Sequence, residues 1–150
     1  MIEKTLEAKL ITAVANVIND VQIIGFWQDV PDGDTAKKEP PFIAVTVKPK
    51  KTSIESLPFY ECEIDITAVS KEETDPRKAY INAWGASLSD LIDSWNGGPS
   101  SAGRAALKAA LDASGEYDVS GILDNGGDCG YNDGEDTWFV TKALTITFTA

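Results

Sequence analysis

The sequence has no histidine, two cysteines and a single methionine among 150 residues. Without histidine, the commonest general base, the commonest metal ligand and every histidine-containing triad are excluded. An enzyme of this composition would depend on carboxylate, lysine or tyrosine chemistry. Cys62 and Cys129 are far apart and outside any C-x-x-C spacing, so neither a zinc site nor a disulfide framework is indicated. They read as free thiols of a protein made in a reducing cytoplasm.

Basic residues are also scarce. Thirteen Lys and Arg face twenty-four Asp and Glu, giving a formal charge of −11, which on average repels nucleic acid. No charged n-region with an apolar h-region opens the chain, and no apolar run reaches membrane-spanning length, so a soluble protein is expected. No G-x-G-x-x-G leads from a predicted strand into a helix, and no G-K-[ST] occurs, which leaves no phosphate cradle.

The remaining residues are those of one globular domain over 1–150, with 43% hydrophobic content and enough length to bury a core without staples. Ile2, Leu6, Leu10, Ala13, Val14, Val17, Ile18 and Val21 recur every three or four residues and predict an amphipathic helix. Glu3, Lys4, Glu7, Lys9, Asn16 and Asn19 are assigned to its polar face. Strands are predicted over 21–30 and 42–47, the second bounded by Pro41 and Pro49. In another, Tyr60, Cys62, Ile64, Ile66 and Ala68 alternate with Glu61, Glu63, Asp65 and Thr67, one face buried and one wet.

A second helix starts at Thr74 or Asp75 with Pro76 in its first turn and ends at the N-G-G-P after Trp95. Its stripe of Ala79, Tyr80, Ala83, Trp84, Leu88, Leu91, Ile92 and Trp95 reads as core packing rather than a ligand box. A weaker third helix is predicted over 101–113, and strands over 116–123 and 137–149, with Lys142 interrupting the apolar side of the last. The expectation is an α+β fold: a mainly antiparallel sheet of about five strands flanked by two longer helices and one short one.

Between the last two strands stands D-N-G-G-D-C-G-Y-N-D-G-E-D, where Asp124, Asp128, Asp133, Glu135 and Asp136 are interspersed with four glycines. An EF-hand loop needs an oxygen ligand at its third position, and counting from Asp124 or Asp128 places glycine there. A glycosidase pair needs a rigid carboxyl against an apolar wall. Flanking glycines leave these acids mobile and hydrated. The stretch is therefore expected to be a mobile acidic hairpin loop, with no metal, cofactor or catalytic residue assigned. A monomeric calcium- or carbohydrate-binding module using the acidic loop is the alternative. Against this acidic end, Lys37, Lys38, Lys48, Lys50 and Lys51 cluster around the second strand. A basic edge meeting the acidic edge of a neighbouring copy is how a head-to-tail ring closes.

The amphipathic first helix, Trp27-Gln28-Asp29-Val30-Pro31, Pro40-Pro41-Phe42-Ile43-Ala44-Val45-Thr46-Val47, the alternating strand, the long helix and the terminal strands together resemble the tail terminator proteins of long-tailed bacteriophages. Related head-to-tail completion proteins are similar. The resemblance covers most of the chain but not the extended segment 96–136. It implies a structural protein of the virion tail or neck, assembled in the host cytoplasm and without catalytic residues. Such proteins form a ring, usually a hexamer, that caps the tail tube, ends its polymerisation and joins it to the head or neck connector. DNA would pass through the lumen without specific binding. Lys48, Lys50, Lys51 and the five acids are the candidate interface or lumen residues.

Overall fold

The computed structural model describes residues 2–28, 41–52, 59–71, 77–96, 108–109 and 118–149. Its elements are α1 (Ile2–Val17), β1 (Gln22–Gly25), β2 (Phe42–Val47), β3 (Lys51–Thr52), β4 (Phe59–Lys71), α2 (Arg77–Asn96), β5 (Asp118–Asn132) and β6 (Thr137–Thr149). Five strands lie in the order β1-β2-β4-β6-β5, and β3 adds to β4. Only β1 and β2 run parallel; the other pairings are antiparallel. Among the described residues the fold is α+β, with a six-stranded, mostly antiparallel sheet and the two helices α1 and α2.

Both helices lie on one side of the sheet. Strand alternation puts Ile43, Val45 and Val47 of β2, Cys62, Ile64, Ile66 and Ala68 of β4, and Leu144, Ile146 and Phe148 of β6 into one buried layer. Leu6, Leu10 and Val14 of α1 and Trp84, Leu88, Ile92 and Trp95 of α2 complete it, each at helical spacing. Cys62 is fully buried. Burial pushes its thiol up to about 12, and the Glu3 carboxylate adds to the shift.

The opposite side of the sheet carries the complementary set, chiefly Thr67, Thr141, Thr145, Thr147, Glu61, Glu63 and Asp65. Thr67 and Thr141 share a hydrogen bond at 3.1 Å across β4 and β6.

Several sequence expectations are corrected. Glu3 and Glu7, assigned to the polar face of α1, are buried, and Val17, assigned to its apolar stripe, is 47% exposed. Strand β1 stops at Gly25 rather than residue 30, because the Glu7 carboxylate takes the next backbone donors. Strand β3 has no counterpart in the sequence reading. Ala83 is exposed rather than packed. Lys108 and Ala109 are helical, and the rest of the third helix expected over 101–113 lies outside the described residues. So do Thr74, Asp75, Pro76, Lys37 and Lys38.

Candidate functional site

The largest correction concerns the acidic stretch. It is not a long loop: β5 continues through it to Asn132, paired with β6 up to Asn132↔Thr137, and only residues 133–136 form a turn. Glycine and aspartate are poor strand formers, but cross-strand partners override that preference. Tyr131 faces Trp138, with ring centroids 5.1 Å apart, and Cys129 faces Val140. Two register shifts, between Val119 and Gly121 and between Asp124 and Gly127, absorb the surplus residues as bulges.

Glycine is required at the second bulge. Gly126 has φ +83°, and a Cβ on Gly127 would overlap the carbonyl oxygen of Thr141. The tip is tied down locally. Glu135 N–H donates to Asn132 O at 3.3 Å, Gly134 N–H to Asn132 Oδ1 at 3.1 Å, and the Tyr131 hydroxyl to Asp136 Oδ1.

Asp124, Asp128, Asp133, Glu135 and Asp136 are all exposed along this hairpin arm. Beside the second bulge, a cleft of about 290 Å³ opens between α2 and the hairpin. Asp93 of α2, Asp124 and Asp128 line it together with Lys142, which stands opposite Gly127 and so is not covered by a side chain there. Among the described residues, no group of three or more His, Cys, Asp or Glu side chains is arranged to hold a metal ion.

The lysines lie at the diagonally opposite corner of the sheet. Lys48 follows β2, whose end pairs with the first half of β4, whereas the hairpin tip adjoins the last residues of β4 through β6. Lys48 reaches Glu63 at 3.7 Å and Asp65 at 3.6 Å; Lys51 reaches Glu61 at 3.5 Å and Glu63 at 3.2 Å. The Lys51 hydrogen bond and charge hold the Glu63 carboxyl below its ordinary range, and Glu63 raises Lys51 in return. Lys50 sits over the Tyr60 ring, 5.1 Å from its centroid. The wet face of β4 thus supplies three carboxylates to Lys48 and Lys51. The corner that reads as basic in the sequence is close to neutral in the fold.

Glu7 was missed as a key residue. Its carboxylate accepts Trp27 N–H at 2.7 Å, Val47 N–H at 3.2 Å and Gln28 Nε2 at 3.4 Å. Its sequence signal is weak: an acid one position from Leu6 in the apolar stripe, with a glycine in a later β-rich run.

No protein-family model matches the chain, and no curated protein is significantly similar to it. Among the described residues no helix is long and apolar enough to cross a membrane.

Proposed function

We propose that this chain is a structural protein of a phage tail or neck, resembling tail terminators, whose copies form a ring that caps the tail tube and joins it to the head connector. The observation that carries this reading is the arrangement of the sheet. Helices α1 and α2 lie against one face, while among the described residues no strand pairs with the outer side of β1 or β5. An open sheet with two unlike edges is suited to head-to-tail contact, and such contacts close into rings when the rotation permits.

The charge pattern favours one of the two placements considered for the acidic hairpin. The lysine corner is engaged by Glu61, Glu63 and Asp65, so a neighbour's acids would compete with existing partners. The exposed acids of the hairpin arm therefore suit a lumen that passes DNA by repulsion, without binding it. This reading assigns no catalytic step and no cofactor. A tail tube protein and a head or neck connector are the partners it implies, and the hexamer is the ring size suggested by the resemblance.

Light scattering across a range of concentrations, followed by negative-stain microscopy, tests the reading. Closed rings of one size are expected. Strictly monomeric protein at every concentration, without decoration of a tail tube end, refutes it.

A further inference from the structure

We draw no further inference here: the strongest candidate, the cleft between α2 and the hairpin where Asp93, Asp124 and Asp128 stand with Lys142, is lined by an exposed acidic cluster, and nothing in the structure shows what ligand would occupy it.

Discussion

The carboxylate of Glu7 and the missing side chain of Gly25 share one space. A Cβ built on Gly25 would overlap Glu7 Oε1 and come within 2.9 Å of Ile11 Cδ1. The glycine admits the carboxylate, and the carboxylate in turn binds the N–H groups of Trp27 and Val47, ending the β1–β2 ladder.

That coupling is measurable. Gly25→Ala should destabilise the protein by about 1–3 kcal/mol through overpacking, and Glu7→Ala by about 1–3 kcal/mol by leaving buried N–H groups unsatisfied. Because Glu7→Ala removes the atom that Gly25→Ala strikes, the double variant should lose less than the sum. Urea midpoints of the four proteins give the coupling, and additivity to within about 0.5 kcal/mol would contradict it.

Core substitutions test the packing of α2 on β4. Trp84 is 5% exposed and Ile64 fully buried. Trp84→Ala should cost about 3–5 kcal/mol and Ile64→Ala about 2–5 kcal/mol. Unchanged denaturation midpoints would mean that these side chains do not face inward.

Where the sequence was legible, one periodicity dominated. Trp138, Val140, Leu144, Ile146 and Phe148 of β6 and the Tyr60 to Ala68 alternation faced the core as expected, and Trp84, Leu88, Ile92 and Trp95 kept helical spacing. It failed where a distant partner decided. Glu7 is buried because backbone donors from β1 and β2 meet it, and no local pattern encodes those donors. The hairpin arm looked like a loop because its glycines and aspartates disfavour strands, whereas Trp138 and Val140 across the ladder hold it extended. The lysines looked available because their partners, Glu61, Glu63 and Asp65, are brought beside them only by the pairing of β2 and β3 with β4.

Cys62 predicts an alkaline loss of stability. Its folded pKa, about 12, lies above the ordinary thiol value of 9.0, so between those limits the unfolded chain has released a proton that the folded chain retains. This contribution is intact below pH 9, and stability then falls by about 1.4 kcal/mol per pH unit. Relative to Cys62→Ala, wild-type stability should decline across that window, as read from urea midpoints at several pH values. Parallel pH profiles would contradict it.

The hairpin arm can be tested by charge. Neutralising Asp128, Asp133, Glu135 and Asp136 to their amides changes the formal charge from −11 to −7, since −11 + 4 = −7. DNA binding, followed by anisotropy of a labelled duplex at low salt, should strengthen, and the gain should fade as salt rises. No change in affinity would place these acids away from the DNA path. Calorimetric titration with calcium should show no stoichiometric micromolar site.

Assembly is the central claim, and solution mass is its most direct measure. Light scattering on the purified full chain, from micromolar concentrations upward and with or without EDTA, should report one closed oligomer whose mass is a fixed multiple of 16.1 kDa and insensitive to the chelator. A constant mass of 16.1 kDa at every concentration, or a mass or melting temperature that depends on calcium, would contradict the ring and favour a monomeric binding module.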